Sequence, residues 1–289
     1  MARLRSSPEE RSPTELLGFG VVNLDKPPGP SSHEVAGWLR DHAGVDRAGH
    51  AGTLDPKVTG SLPIMLGDAV RLAGRFADSR KSYVAVLCLH GEVPTDWRET
   101  IRAFETEIYQ KPPRKSAVRR RLRTRRIHRL EPLERDGRRV LLRIDCAAGT
   151  YVRKLCHHLG LALGTGGHMG DLRRVETGPF EDTDLVTAHD VVDAIAVADE
   201  DPEPLRAVVR PAECLLDGLP RVVVAPSAAR EIGSGAPTYA PGVIEAGTHV
   251  EGTEVAVVTP GGSAVALGEL VGDPDGDRGR VVESTRVLV

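Results

Sequence analysis

The spacing of hydrophobic residues changes late in the chain, and this change predicts two folded units. In the first part, runs such as 83–89 and 139–146 are typical of buried strands, and 150–163 carries apolar residues three or four positions apart, as a helix does. Beyond Leu219, short runs of Val, Ala and Leu alternate with Gly and Pro turns. This second pattern is typical of a small β-barrel-like domain of about 70 residues.

The pattern also predicts the domain boundaries. Residues 1–17 are charged and contain prolines, so we expect a flexible N-terminal segment. A strand-like run follows, and Ser31 precedes an amphipathic stretch that predicts a helix with a serine N-cap. The acidic, proline-containing stretch 189–205 predicts a helix end and a linker. We therefore place an α+β domain at 18–205 and a β-rich domain, with its linker, at 206–289.

Charge is divided in the same way. Residues 1–180 hold 31 basic and 21 acidic residues (net +10), and residues 181–289 hold 7 and 20 (net −13). A basic half of this kind favours a polyanionic partner. The sequence has no apolar run of about 18 residues and no apolar signal segment at its start, so we expect a cytoplasmic protein without a membrane partner. The four cysteines form no CxxC pair, which favours reduced thiols over a zinc site.

The first candidate for chemistry is a glycine-rich loop, 49–60, that carries Asp55. Its glycines let a ligand approach the backbone closely. Asp55 is the only acidic residue between Asp46 and Asp68, which argues against paired-carboxylate chemistry and against a carboxylate metal cage. A lone aspartate can act as a nucleophile if a cation keeps it ionised and oriented. The alternative is an aspartate that only forms a turn.

Two further residues fit a site built around this carboxylate. Tyr83 lies at the start of a strand, where its ring can stack on a flat base while its hydroxyl reaches a polar partner. The alternative is a tyrosine that packs on the core. Arg153 lies near the start of a predicted helix, where the helix dipole disfavours a cation. A carboxylate such as Asp55 is a candidate to hold it there, and the alternative is a solvated arginine.

A basic run covers residues 111–129, in which ten of 19 residues are Lys or Arg and none is acidic. Like charges in a folded domain repel each other, and a phosphate backbone relieves that repulsion. Apolar residues interrupt the run, so we expect part of it to be folded and to contact nucleic acid. The alternative is a solvated surface. The expected contacts are Arg114, Lys115, Arg119, Arg120 and Arg121.

Together, the basic surface, the lone carboxylate and the aromatic ring indicate an enzyme that acts on a single base of RNA or DNA. The sequence contains no Walker loop and no GxGxxG dinucleotide motif, which such a fingerprint would require. Its cysteine spacing does not fit the zinc deaminases.

Several motifs resemble those of the TruB/dyskerin family of RNA pseudouridine synthases, and in particular its archaeal H/ACA branch. The strongest is the loop segment GHAGTLDP at 49–56, which resembles the catalytic loop of that family. A C-terminal region around 226–236 resembles a PUA RNA-binding domain. The other similar segments are 24–33, 81–83, 149–153, 172–174 and, for the H/ACA branch, 108–120.

This resemblance implies a fold and a reaction. The fold is α+β, with a mixed or antiparallel sheet in the catalytic domain, followed by a small β-barrel-like PUA domain. Uridine is detached from its ribose at N1, turned, and rejoined through C5, without a cofactor or a metal. By analogy Asp55 is the nucleophile and attacks either the ribose or the uracil, Tyr83 stacks on the flipped base, and Arg153 keeps Asp55 anionic.

The same resemblance implies further contacts and partners. Leu172 lines the pocket, His50 stabilises the flipped state, and Lys26 joins the basic residues that bind RNA. Members of this branch take a guide RNA that selects uridines in rRNA, and they bind a zinc-ribbon-type protein, a β-barrel protein and a kink-turn-binding protein. Two alternatives stay open: a guide-independent synthase of the tRNA T-loop, and a non-catalytic RNA scaffold.

Overall fold

The computed structural model describes residues 3–74, 78–113 and 118–289. Its first domain is built on one ten-stranded mixed sheet, in which most neighbouring strands are antiparallel and β3 and β8 form a parallel pair. The strands lie in the order β10-β1-β3-β8-β4-β7-β6-β5, with β2 beside β3 and β9 beside β8. They are β1 (Gly20–Lys26), β2 (Ala48–His50), β3 (Thr59–Leu66), β4 (Lys81–Leu89), β5 (Glu107–Gln110), β6 (Arg123–Asp136), β7 (Arg139–Cys146), β8 (Gly167–Thr177), β9 (Phe180–Glu181) and β10 (Arg210–Pro211).

Helices pack on this sheet and on the second domain. The predicted N-cap is confirmed, because the Ser31 hydroxyl accepts a hydrogen bond from the Glu34 N–H and the Glu34 carboxylate accepts one from the Ser31 N–H. No helix in the described part of the chain is long and apolar enough to cross a membrane. The α-helices are α1 (Pro13–Gly18), α2 (Ser32–Ala43), α3 (Trp97–Arg102), α4 (Val152–Ala162), α5 (Ala188–Val197), α6 (Glu203–Val208) and α7 (Pro226–Gly233).

The core of the first domain brings the sheet together with α4. Ala85 and Leu87 of β4 are buried in the same apolar cluster as Leu155 and Leu159 of α4. The apolar stripe of the helix therefore faces the core, while Arg153 stays exposed. This arrangement lets a firmly packed helix present a polar side chain at the surface.

The second domain is a six-stranded sheet with its own core. Val222, Val255 and Val257 are buried there, which confirms the predicted order of an α+β domain followed by a β-rich domain. Its strands lie in the order β12-β16-β15-β14-β11-β13. They are β11 (Arg221–Val224), β12 (Thr238–Tyr239), β13 (Val243–Ala246), β14 (Glu254–Val258), β15 (Ala264–Leu270) and β16 (Arg280–Val287).

The linker between the domains belongs to the first sheet rather than to the second unit. Arg210 and Pro211 pair with Val21 and Gly20 of β1, and the second sheet begins only at β11. The predicted boundary between 205 and 206 therefore lies too early. Local sequence gives no signal of this pairing, because the partner strand lies at the other end of the domain.

The prediction of a flexible N-terminal segment is wrong for its described part, residues 3–17. Ser12 caps α1 with a reciprocal capping box. Arg11 is fully buried and donates to the two carboxylate oxygens of Glu213 at 2.9 and 2.5 Å. The prediction failed because this partner lies 202 positions away, where local charge and proline content cannot indicate it.

Candidate active site

Asp55 lies in the loop between β2 and β3, and one half of this loop is held by Lys26. The Asp55 carbonyl accepts a hydrogen bond from the Val58 N–H at 2.9 Å, which closes a tight turn. The Lys26 ammonium donates to the carbonyls of Pro56 at 2.9 Å, Val58 at 3.0 Å and Pro27 at 2.8 Å. All three ammonium protons are thus used inside the protein, and two of them fix the backbone that follows Asp55.

Ser32 and Arg174 hold the other half of the loop. The Ser32 hydroxyl accepts from the Leu54 N–H at 2.8 Å and donates to the Leu54 carbonyl at 3.1 Å. The buried Arg174 guanidinium donates to the carbonyls of Ser61 at 2.7 Å and Gly52 at 3.0 Å. Because β1, α2 and β8 each supply one of these side chains, the surrounding fold sets the conformation of the loop.

One glycine of the loop is required by a close contact. Gly60 has a φ of +97°, and a Cβ at this position would lie 2.1 Å from the carbonyl oxygen of Arg174. Only glycine accommodates both the conformation and the contact. The close approach of β3 to β8 at this point is what brings Arg174 next to the loop.

Asp55 and Arg153 form an ion pair that links the loop to the first turn of α4. Their side chains are 51% and 49% exposed, so water and a substrate can reach the carboxylate. A neighbouring guanidinium favours the ionised form of a carboxylate and fixes its direction. The arrangement provides a fixed, accessible carboxylate of the kind that nucleophilic catalysis uses.

Tyr83 is connected to the same loop through Arg174. The tyrosine lies on β4 and is almost entirely buried, and its hydroxyl shares a hydrogen bond with the Arg174 guanidinium. Burial raises the pKa of the Tyr83 phenol, and the nearby Arg174 offsets this only in part. The phenol is therefore neutral at neutral pH, and one guanidinium joins it to the Gly52 carbonyl.

His50 and Leu172 flank this arrangement. His50 ends β2 and is half-buried, and burial, together with the charges of Arg174 and His33, lowers the pKa of its imidazole. Its Nδ1 atom is buried and has no hydrogen-bond partner within the described ranges. Leu172 pairs with Ala85 across β8 and β4 and packs at the edge of the main core.

The basic run consists of an exposed stretch and a strand. Arg119, Arg120 and Arg121 are exposed, and β6 begins shortly after them and pairs with β5. Arg114 and Lys115 lie outside the described residues. The expectation that part of the run is folded is therefore confirmed, whereas its contact with RNA stays a prediction.

The prediction that Lys26 contacts RNA does not agree with the structure. The residue is fully buried, and burial lowers its pKa. Its three donors are directed to protein carbonyls, so Lys26 supports the loop of Asp55 instead of facing solvent. In the sequence this lysine borders a proline-rich turn, and the carbonyl that it binds at Pro56 comes from 30 positions further along the chain.

Sequence analysis missed the role of Arg174. Adjacent residues of a strand point to opposite faces, and β8 follows this rule at two consecutive arginines. Arg173 pairs with Asp25 at 2.9 and 3.0 Å on the partly exposed side, while Arg174 is buried beside Tyr83. The strand alternation was the available signal, but it does not say which arginine faces inward.

Potential metal ligands lie away from this loop. In the described ranges, one group of side chains could hold a cation: His249, Asp273 and Asp275, all exposed in the second domain. The buried thiols of Cys146 and Cys156 are free, and burial raises the pKa of each to about 12. They are therefore protonated and unsuited to act as nucleophiles at neutral pH.

Four family models match successive parts of the chain. The residues that form the site fall in two of them, with Asp55 and Tyr83 in the second and Arg153 in the third. The models are the DKCLD (NUC011) domain at 3–36, the N-terminal domain of the TruB family pseudouridylate synthases at 40–152, the tRNA pseudouridylate synthase B C-terminal domain at 153–217, and the PUA domain at 220–275.

Relatives and solved structures match over nearly the whole chain. The probable tRNA pseudouridine synthase B of Haloarcula marismortui is 59% identical over 294 residues, covering 99% of this chain and 94% of that protein. The Pyrococcus furiosus protein of the same name is 46% identical over 268 residues, covering 91% and 79%. A crystal structure of a Cbf5-Nop10-Gar1 complex matches with a TM-score of 0.86 and 42% identity, covering 100% and 91%. An H/ACA RNP bound to a substrate RNA containing 2′-deoxyuridine matches with a TM-score of 0.86 and 40% identity, covering 99% and 90%.

The α+β domain with its aspartate loop, followed by a PUA domain, defines a pseudouridine synthase. At the identity and coverage found with its relatives, the chain belongs to the TruB family of pseudouridylate synthases. The resemblance noted in the sequence, the enzyme class and the α+β catalytic fold are thereby confirmed.

Proposed function

We propose that this enzyme forms pseudouridine in rRNA at positions selected by an H/ACA guide RNA, with Asp55 as the nucleophile. The observation that carries the proposal is the half-exposed ion pair between Asp55 and Arg153 on a loop that buried side chains hold in place. Nucleophilic catalysis by a carboxylate needs a group that is ionised, oriented and accessible. Asp55 meets each of these requirements.

The reaction exchanges one bond to the ribose for another. The bond between N1 of uracil and C1′ breaks, a bond between C5 and C1′ forms, C5 loses a proton and N1 gains one. Asp55 attacks either the ribose or the uracil ring, and its bond to the nucleotide breaks again before the product leaves. The uridine must first leave its stack, at a cost of a few kcal/mol.

Each neighbouring residue has a role in this proposal. Arg153 keeps Asp55 ionised and directed toward the nucleotide. Tyr83 stacks on the flipped uracil, and its neutral hydroxyl can transfer a proton. Leu172 lines the apolar side of the pocket, and the neutral imidazole of His50 stabilises the extruded nucleotide.

RNA and protein partners follow from the related complexes. Their titles describe Cbf5 with Nop10 and Gar1, and an H/ACA RNP with bound substrate RNA, which supports a particle of this kind for the present chain. We assign its three protein partners to a zinc-ribbon-type, a β-barrel and a kink-turn-binding class, and we place the particle in the cytoplasm. The exposed arginines 119–121 would contact RNA phosphates, with Arg114 and Lys115 beside them in sequence.

A second candidate function is guide-independent modification of the tRNA T-loop. The names of the relatives, probable tRNA pseudouridine synthase B, favour it. A non-catalytic RNA scaffold fits less well, because a scaffold has no need for an accessible ion pair on a braced loop.

The test is an assay of the purified protein, with the three protein partners, on rRNA fragments with and without guide RNA and on a tRNA transcript. The proposal expects pseudouridine in the rRNA fragment only when the matching guide is present. Formation on tRNA alone, with none on guided rRNA, would instead establish the second candidate. A guide with a mismatched pairing region serves as the control for non-specific stimulation.

A further inference from the structure

Gln110 makes a two-point contact with the start of the helix that carries Arg153. It is the last residue of β5 and is 2% exposed. Its side-chain Nε2 donates to the carbonyl of Tyr151 at 3.2 Å, and its Oε1 accepts from the N–H of Tyr151 at 2.9 Å. Both ends of the amide are therefore bound to the backbone of one residue, as in the pairing of two strands.

Tyr151 is the residue that begins α4. It occupies the N-cap position, and its own side chain makes no capping hydrogen bond. Its carbonyl accepts the first helical hydrogen bonds, from the N–H groups of Lys154 and Leu155 at 3.0 Å each. The Gln110 amide thus fixes the peptide groups on both sides of the Tyr151 Cα, and these set the direction in which the helix leaves.

Arg153 is two positions further on, so its direction depends on this turn. A cation in the first turn of a helix is disfavoured by the helix dipole, and a half-exposed ion pair contributes little to stability. The pair with Asp55 is therefore too weak to hold the helix start by itself. The buried contact of Gln110 with Tyr151 supplies a second restraint from the neighbouring strand.

We propose that Gln110 is a positioning residue for the reaction, which holds the first turn of α4 so that Arg153 faces Asp55. This inference rests on the proposed function, because it assumes that Arg153 directs the Asp55 carboxylate. Gln110 touches neither of these two side chains and acts through the backbone of Tyr151. The strand that ends at Gln110 leads into the basic run, so RNA bound there would act on the same restraint.

The first measurement compares Gln110→Met, which keeps a linear side chain but removes both polar atoms, with Ile108→Ala. Ile108 is buried on the same strand and makes no hydrogen bond to Tyr151 through its side chain, so its variant perturbs β5 without releasing the helix. Single-turnover rates are measured at saturating RNA, on the RNA that the wild type converts. We expect Gln110→Met to lower the rate at least about tenfold, since small misplacements of catalytic groups cost this much or more. RNA affinity should stay within about twofold.

A double-mutant cycle separates positioning from general destabilisation. In an Arg153→Lys background, Gln110→Met should cause less than about a twofold further loss, because residues that act as one unit are not additive. An equal loss in both backgrounds would overturn the proposal. If Gln110→Met does not fold, Gln110→Glu replaces it, and the proposal expects a rate between those of the wild type and Arg153→Lys.

Amide hydrogen exchange provides a readout that does not depend on activity. In the RNA-free protein, the backbone around 151–155 should exchange faster in the Gln110→Met protein than in the wild type or the Ile108→Ala protein. Unchanged exchange there would overturn the proposal even if activity fell. If the wild type converts none of the tested RNAs, the proposed substrate is wrong, while the exchange result still decides whether Gln110 anchors the helix.

Discussion

Two arginine–carboxylate pairs in this protein share their chemistry and differ in their surroundings. Arg11 and Glu213 are buried, with side-chain exposures of 0% and 11%, and the carboxylate also accepts a hydrogen bond from the Ala264 N–H at 3.0 Å. Arg153 and Asp55 are each about half exposed. The first pair ties the N-terminal segment to the segment before the second domain, and the second pair joins a loop to a helix.

Exposure decides what each pair contributes. An exposed pair adds about 0–1 kcal/mol to stability, so Asp55 and Arg153 matter little to the fold. Removal of one partner of a buried pair leaves an uncompensated charge away from water, at a cost of about 3–5 kcal/mol. The same two side-chain types therefore serve structure where water is excluded and chemistry where a substrate can enter.

The largest effect on stability is expected from Arg11→Leu. This change leaves the Glu213 carboxylate buried without its cation, so the free energy of unfolding should fall by about 3–5 kcal/mol. Urea denaturation followed by circular dichroism measures it. The double variant Arg11→Leu/Glu213→Leu is the control and should recover much of the loss, because no buried charge remains. A loss below about 1 kcal/mol in the single variant would mean that this pair behaves like the exposed one.

A smaller effect is expected from the pH dependence of stability at Lys81. Burial, with the charge of Arg174 nearby, lowers the pKa of this lysine from 10.5 to about 8. Between these values the unfolded chain binds the proton and the folded protein does not, so the contribution of Lys81 to stability rises with pH from about 8 upward. Urea midpoints at pH 7.5 and 9.5 should reveal this slope in the wild type and a weaker slope in Lys81→Met. Equal slopes in the two proteins would refute the assignment.

The smallest effect per residue is expected where exposed cations face solvent. Neutralising Arg119, Arg120 and Arg121 to Gln should leave stability nearly unchanged and weaken RNA binding. For single-stranded RNA each lost phosphate contact lowers the salt slope by about 0.7, so three contacts lower it by about 2. Binding titrations at several salt concentrations measure the slope. Arg98→Gln/Arg102→Gln, two exposed arginines outside the basic run, is the control, and an unaltered slope in the triple variant removes this patch from the interface.

Local sequence was sufficient where the determinants are local. The N-cap at Ser31, the strand β4 and the helix α4 follow from residues within one or two turns of each other. The motif that holds Asp55 was also visible, as was the candidate partner Arg153. These features depend on neighbouring positions, and neighbouring positions are what a single sequence displays.

Contacts between distant residues were missed. Arg11 was assigned to a flexible segment because its partner Glu213 is 202 positions away. Lys26 was assigned to RNA because a lysine is usually exposed, whereas here the loop that follows α2 supplies buried carbonyl acceptors. Gln110 and Arg174 had no assigned role, because each acts on the backbone of a segment elsewhere in the chain.

The central claim is that the accessible carboxylate of Asp55 performs the chemistry and does not support the fold. The most direct test is the amount of pseudouridine formed by Asp55→Asn at saturating RNA, measured beside its urea midpoint and its RNA affinity. We expect no detectable product, a free energy of unfolding within about 1 kcal/mol of the wild type, and nearly unchanged RNA binding. Product formed at a rate close to that of the wild type would contradict the claim.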